Sequence, residues 1–336
     1  MTTRRRFTQL SAAALLPSAW ATGSWGQAAK ASAAGPAAIP DVARILIGFP
    51  AGGPIDALAR RVGDRMRGKY AGAVVVENKP GAGGQIGILT LRDSPADGTN
   101  LLITPSSMLS IYPYTYPKLR YGLADVTPVS VAAHTDHGLA VGPGVPDSVR
   151  TLADFLAWLK ANPSNANYGS PGAGSMPHMV GVLLGQITQL DMRHIAYRGT
   201  VPGVQDLLGG QVPAFWGPIG DYLQHTRTGK LRVLAIAGGK RSVFLPQVPT
   251  LQELGYPLKV SEWYGFFLPG KAAPEVVKRA SDALQAALAQ PEVVDFGKQY
   301  GLEIRASSAP DLARMLQADA DQWRGLIKQT GFTAES

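Results

Sequence analysis

The 336-residue chain contains no cysteine and therefore no disulfide bond. This composition fits an exported protein that uses no disulfides, although the absence of cysteine alone does not locate it. The chain is also too poor in apolar residues for a polytopic membrane protein, since its mean hydropathy is +0.01 and its apolar content is 45%. A globular protein of this length can form two lobes of ordinary domain size.

Acidic residues are absent from the first 31 positions, which indicate an export signal. Residues 4–6 are three arginines, residues 10–21 form an apolar core, and small residues at 28–33 offer A-x-A-like cleavage sites. The core is too short for a membrane anchor, which needs about 20 apolar residues. The order Thr3-Arg4-Arg5-Arg6-Phe7 resembles a twin-arginine signal. We therefore predict that segment 1–31 is cleaved after export to the periplasm, by either the Sec or the Tat route.

Half of the formal charge of +8 belongs to this leader. Four of the 32 basic residues lie within it, so the remaining chain carries a charge of +4. An excess so small and so evenly dispersed gives no argument for a nucleic acid partner.

Residues 45–61, which read ILIGFPAGGPIDALARR, combine an apolar run, a glycine turn and the start of a helix. Gly52 and Gly53 can adopt positive φ, and Pro54 suits the first helical position because its missing N–H would have no partner there. The turn leaves backbone N–H groups open beyond the strand, at the positive end of the helix dipole. Such donors favour a carboxylate or another anion.

The same plan of strand, turn and helix recurs along the chain. Strands are predicted at 73–77, 101–104, 231–237 and 262–270, and further strand–turn–helix units at 168–178 and 191–200. A second glycine turn is predicted at 78–87, with a helix from residue 88. Thr151 and Asp154 predict a capping box for a helix that runs to residue 161. This alternation indicates parallel βαβ units, in which ligands bind beyond the carboxyl ends of the strands.

Several segments resemble enzyme motifs, but each lacks a residue that the motif requires. The segment 63–70, GDRMRGKY, nearly matches a phosphate-binding loop, but Tyr70 stands where a magnesium-binding Ser or Thr is required. The segment 168–172, YGSPG, lacks the first glycine of a nucleophile elbow. His134 and His137 flank Asp136 without further metal ligands in recognisable spacing. We therefore predict no catalytic residue, no metal site and no cofactor, with a periplasmic enzyme as the least favoured alternative.

Eight segments together resemble the ordered signature blocks of the Bug family, the extracytoplasmic solute-binding receptors of tripartite tricarboxylate transporters. They cover essentially the whole chain after the leader, and their order makes the resemblance specific. The segments are GFPAGGPIDALARR, VVENKPGAGGQIG, ADGTNLLIT, YGSPGAGSMPH, HIAYRGTVPGVQDLLGGQV, GKLRVLAIAG, LPQVPTLQELGYP and EWYGFFLPG.

The resemblance implies a type II periplasmic binding protein fold, in which two α/β lobes joined by crossover strands clamp the ligand between them. It implies a first lobe of residues 41–135 plus 264–336 and a second lobe of residues 136–263. The expected function is capture of a small carboxylate by hinge closure and delivery to the membrane permease subunits of the transporter. A monomer is expected. The alternative is a receptor that signals to a membrane sensor kinase, which the sequence does not distinguish from transport.

The resemblance also implies a set of ligand-binding residues on both lobes. The first lobe would contribute Phe49, Gly52, Gly53, Asp56, Ser106 and Ser107. The second lobe would contribute Ser170, Gly172, Gly174, Ser175, His178, Tyr197, Arg198, Gly199 and Thr200.

Several of these residues also have plain structural interpretations. Asp56 lies at the third position of a helix, where an acid satisfies free N–H groups. His178 fits a helix cap or a packed ring as well as a ligand contact. Arg198 could pair with an acid, but its guanidinium is well suited to a bidentate carboxylate contact. Tyr197 is expected to form a wall of the cleft.

The chain departs from the family pattern at three positions. Gly48 and Ile55 replace a proline and a small hydroxyl residue of the first turn, so one donor or water anchor is missing there. Trp216 stands where the family usually has an aspartate near the cleft. A bulky aromatic side chain at that place would narrow the pocket or stack on the ligand. We therefore expect an aromatic or otherwise flat carboxylate over a citrate-like one.

Overall fold

The computed structural model describes residues 39–334, so the predicted export signal lies outside the described residues. The strands are β1 Val42–Ile47, β2 Ala73–Asn78, β3 Asn100–Pro105, β4 Val126–Thr135, β5 His137–Val141, β6 Asn167–Ser170, β7 Arg193–Ala196, β8 Ala214–Pro218, β9 Arg232–Ile236, β10 Glu262–Pro269 and β11 Leu302–Ile304. The helices are α1 Pro54–Met66, α2 Gln85–Arg92, α3 Ser107–Ser110, α4 Tyr112–Thr115, α5 Leu152–Ala161, α6 Met176–Thr188, α7 Thr200–Leu208, α8 Leu223–Arg227, α9 Pro274–Leu288, α10 Pro291–Gln299 and α11 Ala309–Thr330. Within the described residues, none of these helices is both long and apolar enough to cross a bilayer.

The strands form two separate sheets. The first has the order β11-β4-β10-β3-β1-β2, and the second has the order β7-β6-β8-β5-β9. Strands β1, β2 and β3 pair in parallel, as do β6 and its neighbours β7 and β8, whereas β10 runs antiparallel to both β3 and β4. Each sheet with its helices is one α/β lobe, so the prediction of two lobes is confirmed.

The predicted strand–turn–helix units are present with small shifts in their bounds. Thr151 accepts the N–H of Asp154, whose carboxylate accepts the N–H of Thr151, so the predicted capping box of α5 is confirmed. Helix α2 begins at Gln85, three residues before the prediction. The preceding turn needs fewer residues because Gly83 and Gly84 adopt positive φ in a single tight turn.

Two consecutive strands that the sequence analysis did not predict join the lobes. Strand β4 belongs to the first sheet and β5 to the second, and only Asp136 separates them. The chain returns to the first sheet at Glu262, which pairs with Thr135 at the end of β4. The two passages between the lobes therefore lie side by side.

Helix α11 packs against both lobes. Leu312 and Leu316, near its start, belong to an apolar cluster of the first lobe. Trp323 and Ile327, two turns further on, belong to the apolar core of the second lobe. Between them, Asp319 accepts a hydrogen bond from the indole of Trp263 in β10, with the two atoms 2.6 Å apart.

Candidate functional site

A cleft lies between the lobes at the carboxyl ends of the parallel strands. Its inner cavity is lined by Phe49, Pro50, Gly53, Pro54, Ile55, Pro105, Ser107, Met108, Tyr112, His137, Pro171, Gly172, Ser175, Pro177, Gly199, Thr200, Val201, Pro218, Glu262 and Tyr264. Its outer cleft is lined by Gly48, Phe49, Pro50, Gly81, Ala82, Gly83, Gly84, Gln85, Tyr116, Lys118, Arg120, Pro171, Gly172, Ala173, Ala196, Tyr197, Arg198 and Gly199.

Three helix N-termini meet at the inner cavity. Helix α1 enters after Gly53, α6 after Ser175 and α7 after Gly199, and all three of these preceding residues line the cavity. Each N-terminus carries unpaired backbone N–H groups and the positive end of a helix dipole. The cavity is therefore suited to an anion, although none of the residues named above as its lining is a Lys or an Arg.

One of the three N-termini already has a partner. The N–H of Met176, the first residue of α6, donates to the hydroxyl of Ser107 in the facing lobe, with N and Oγ 3.2 Å apart. Helices α1 and α7 lie on opposite lobes, and their first turns remain available to a bound group. A carboxylate held between these two helices would contact both lobes at once.

Asp56 organises the first of these turns instead of lining the cavity. Its carboxylate accepts the N–H of Gly52 at 3.0 Å, the guanidinium of Arg60 at 2.9 Å and the amide of Asn78 at 3.0 Å. Burial disfavours the ionised form, but hydrogen bonds from Arg60, Gly52 and Asn78 outweigh it and lower the pKa. Gly52 has a φ of +96° and does not line the inner cavity, whereas Gly53 does.

Ser106 and Ser107 donate their hydroxyls to a residue that the sequence analysis did not single out. Glu262, at the start of β10, is 2% exposed. Its Oε1 accepts the hydroxyl of Ser106 at 2.7 Å and the N–H of Ser107 at 2.8 Å, and its Oε2 accepts the hydroxyl of Ser107 at 2.5 Å. Burial raises the pKa of Glu262 to about 7, against these hydrogen bonds.

Glu262 lines the cavity together with His137, another residue that the sequence analysis did not place in the site. His137 is 5% exposed, and burial lowers its pKa to about 3 against an opposing interaction with the Thr135 backbone, so the imidazole is neutral at physiological pH. Its Nδ1 has no hydrogen-bond partner among the described residues. A lone acid at the start of a buried aromatic strand was the sequence signal that could have drawn attention to Glu262.

A further acid, Asp221, lies close to the start of α7; the residue is partly exposed, but its Oδ2 is buried. Burial raises its pKa to about 7, although a hydrogen bond with Thr200 opposes the change. Its Oδ2 has no hydrogen-bond partner within the described part of the chain. The protein therefore buries two carboxyl groups at or beside a cavity whose helix termini favour an anion.

Only some residues of the glycine turns in the second lobe line the cavity. Gly172, Ser175, Gly199 and Thr200 line it, whereas Gly174 does not. Gly199 adopts a φ of +102°, and a side chain there would meet Pro50 of the facing lobe. A glycine is therefore required where the two lobes approach each other most closely at this turn.

Ser170 and His178 lie inside the second lobe and do not line either part of the cleft. The Ser170 hydroxyl is 2.7 Å from Nε2 of His194. The His178 ring stacks on His194 with centroids 3.6 Å apart, and its Nδ1 accepts the N–H of Gly174 at 2.8 Å. Burial, with a smaller contribution from His194, lowers the pKa of His178 to about 2. These contacts assign both residues to the support of the turn.

Tyr197 and Arg198 lie at the outer cleft, away from the inner cavity. The Tyr197 hydroxyl donates to Asp206 at 2.9 Å, and the residue lines the outer cleft. Arg198 shares the outer cleft with Lys118 and Arg120. Three cations at the entrance create a positive field that attracts anionic solutes before they reach the helix termini.

The structure corrects the expectation for Trp216. The side chain is 1% exposed and packs in the apolar core of the second lobe, so it offers no stacking face to a ligand. All five residues of β8 are buried, because both faces of this strand are covered. Trp216 therefore gives no reason to expect an aromatic solute.

Comparison with known proteins gives one family and several close structural neighbours. Residues 58–332 match the family described as the tripartite tricarboxylate transporter family receptor. BugT of Bordetella pertussis is 34% identical over 293 residues, which cover 86% of this chain and 89% of BugT.

The solved structures include the periplasmic binding protein BugD, with 28% identity and a TM-score of 0.80 over 87% of this chain and 98% of that one. MatC from Rhodopseudomonas palustris with bound malate has 26% identity and a TM-score of 0.79, over 85% and 98% of the two chains. Rpa4515 from R. palustris with adipate has 26% identity and a TM-score of 0.81, over 87% and 98%. These neighbours confirm the periplasmic binding protein fold.

Proposed function

We propose that this chain, which belongs to the tripartite tricarboxylate transporter receptor family, captures a small carboxylate in the periplasm and delivers it to the membrane permease subunits of such a transporter. Members of this family are receptors, so the chain is a solute-binding protein and not an enzyme. The bound malate and adipate of two structural neighbours support a carboxylate as the solute. We further propose that the chain acts as a monomer after removal of residues 1–31.

The observation that carries the proposal is the pair of open helix N-termini on opposite sides of the cleft. The first turns of α1 and α7 line one cavity and belong to different lobes. A carboxylate that accepts N–H groups from both would hold the lobes together, because each hydrogen bond to a charged group contributes about 1.5 to 3 kcal/mol. Binding would therefore favour the closed arrangement of the lobes.

We propose the two passages at residue 136 and at residues 261–262 as the region about which the lobes rotate, with lobe boundaries at 41–135 plus 264–336 and 136–263. The adjacent, antiparallel passages at Asp136 and Glu262 support this assignment, since few covalent connections need to bend. The lobes also contact each other directly, because the hydroxyl of Tyr116 donates to the carbonyl of Ala173 at 2.8 Å. In this view, a closed surface built from both lobes is what the permease recognises.

The proposed carboxylate site is tested by removal of one backbone donor. Thr200→Pro eliminates the first N–H of α7, and proline is well tolerated at the first position of a helix. Thr200→Ala is the matched control, since it removes the same hydroxyl and keeps the N–H. Both variants and the native protein would be titrated calorimetrically with malate, adipate and the corresponding neutral diamides.

We expect the native protein to bind at least one carboxylate and to bind the diamides at least tenfold more weakly. We also expect Thr200→Pro to bind that carboxylate about tenfold more weakly than Thr200→Ala does, at equal helical content by circular dichroism. Equal affinities of the two variants would exclude the α7 terminus from the site. Equal binding of acids and amides would contradict the proposed function itself.

A further inference from the structure

The inner cavity contains an acceptor that the proposed carboxylate does not use. Oε1 of Glu262 receives two hydrogen bonds, but Oε2 receives only that of the Ser107 hydroxyl. A carboxylate offers about four lone-pair sites, so Oε2 can accept at least one more donor. Glu262 is 2% exposed and lines both this cavity and a second one that also contains Lys240 and Arg305. Neither of these cations is among the groups that shift the Glu262 pKa, so a group in the inner cavity can supply the donor.

No Lys or Arg among the residues that line the inner cavity neutralises the charge of the Glu262 carboxylate. The lining residues described above include neither Lys nor Arg, and the three cations of the entrance belong to the outer cleft. An acid that is buried without a partner is costly, and a second anion beside it would add repulsion. A donor on the solute, above all a positively charged one, would remove this cost.

His137 provides a second, independent indication that a polar group of the solute is recognised here. Its ring is buried and neutral, its Nδ1 has no hydrogen-bond partner in the described residues, and it lines the same cavity. It lies two residues beyond Thr135, which pairs with Glu262 between β4 and β10. Buried polar atoms are normally hydrogen-bonded, so an unpartnered one in a cavity wall indicates a missing ligand atom.

We propose that the solute carries a hydrogen-bond donor, preferentially an ammonium group, at the end opposite its carboxylate, and that Glu262 selects it. The preferred class is thus an amino carboxylate instead of a dicarboxylate. This inference rests on the proposed function, because the α1 and α7 termini are taken to hold the carboxylate. The malate and adipate bound to the two structural neighbours carry a second carboxylate, whereas the solute proposed here carries a hydrogen-bond donor in that place.

The test compares solutes that differ only at their far end. At each of three chain lengths, the native protein is titrated with an unsubstituted monocarboxylate, an ω-amino carboxylate and a dicarboxylate; for six carbons these are hexanoate, 6-aminohexanoate and adipate. The four-carbon and five-carbon series are treated in the same way. We expect the tightest amino acid to bind at least tenfold more tightly than the dicarboxylate of equal length.

Glu262→Gln then identifies the selecting residue. The glutamine amide can accept the Ser106 and Ser107 donors through Oε1, while its NH₂ group can donate to the Ser107 hydroxyl, so the local network has a route to persist. We expect this variant to lose at least tenfold in affinity for the amino acid and to gain affinity for the dicarboxylate. Glu275→Gln, an exposed site on α9, is the matched control and should change neither.

The outcomes separate the two proposals. A dicarboxylate that binds more tightly than the amino acid at every chain length overturns the inference and leaves the receptor function intact, and this comparison needs no variant. An unchanged preference in folded Glu262→Gln also overturns it. Binding of none of the carboxylates would overturn the proposed function and this inference with it.

Discussion

The burial of Glu262 predicts how the free energy of unfolding changes with pH. The pKa is raised from 4.5 to about 7 in the folded protein, chiefly because burial disfavours the ionised form. Between these two values the folded state binds a proton that the unfolded state has released, so stability falls as the pH rises. The difference of about 2.5 pKa units corresponds to about 3 kcal/mol, which is the full penalty above pH 7.

Glu262→Gln removes this penalty because glutamine does not titrate. Any hydrogen bond that the substitution weakens lowers stability equally at all pH values, so only the pH-dependent part is diagnostic. We expect the unfolding free energy of the variant, minus that of the native protein, to increase by about 3 kcal/mol between pH 4.5 and pH 8.

Urea denaturation followed by tryptophan fluorescence would measure this difference, with Glu275→Gln as the exposed control whose difference stays constant. Burial raises the pKa of Asp319 to about 6 and that of Asp221 to about 7. Both acids titrate in all three proteins, so their own contributions cancel in the difference, and the Asp319 charge enters only through its small upward effect on the Glu262 pKa. A flat difference for Glu262→Gln, or one that decreases with pH, would refute the assignment of Glu262 as a buried acid with a raised pKa.

Three further predictions concern residues that the sequence analysis placed in the site. Asp56→Ala should lower the unfolding free energy by about 2 kcal/mol or more, because three donors including the Gly52 N–H lose their charged acceptor; chemical denaturation measures this. Trp216→Phe should cost about 1 to 3 kcal/mol of stability and leave the order of solute affinities unchanged in calorimetry. Arg198→Ala should slow association in stopped-flow fluorescence, most strongly at low salt, and hardly change dissociation. An altered solute order, or a dissociation rate that rises more than the association rate falls, would place the Trp216 or Arg198 side chain against the ligand.

Much of the fold could be predicted from local sequence. Residues 45–61 predicted a strand, a glycine turn and a helix that begins at Pro54, and the structure has all three. Such units depend on short-range chemistry: glycine supplies positive φ, and proline suits the first helical position. The connecting strands β4 and β5 were not predicted, because their roles depend on pairing with residues more than 70 positions away.

The site was less predictable than the fold, because its hydrogen-bond partners are distant in the sequence. Ser106 and Ser107 were expected to meet the ligand, yet they are 156 and 155 residues, respectively, from the acid to which they donate. No local pattern connects these positions. The prediction that Trp216 faces the cleft was wrong for a different reason. When both faces of a strand are buried, alternation of residue types does not indicate which side faces a cleft.

Ser107 now connects three parts of the proposed mechanism. Its hydroxyl donates to Glu262, at the start of β10 in the first sheet, and accepts the first N–H of α6 in the second lobe. The dipole of α6 therefore acts on the selecting acid through one hydroxyl group, and a change in the spacing of the lobes must change this hydrogen bond. Since the same hydroxyl orients Oε2, we expect closure of the lobes and recognition of the far end of the solute to depend on each other. Ser106 therefore orients Glu262 without lining the cavity, whereas Ser107 both orients Glu262 and lines the cavity.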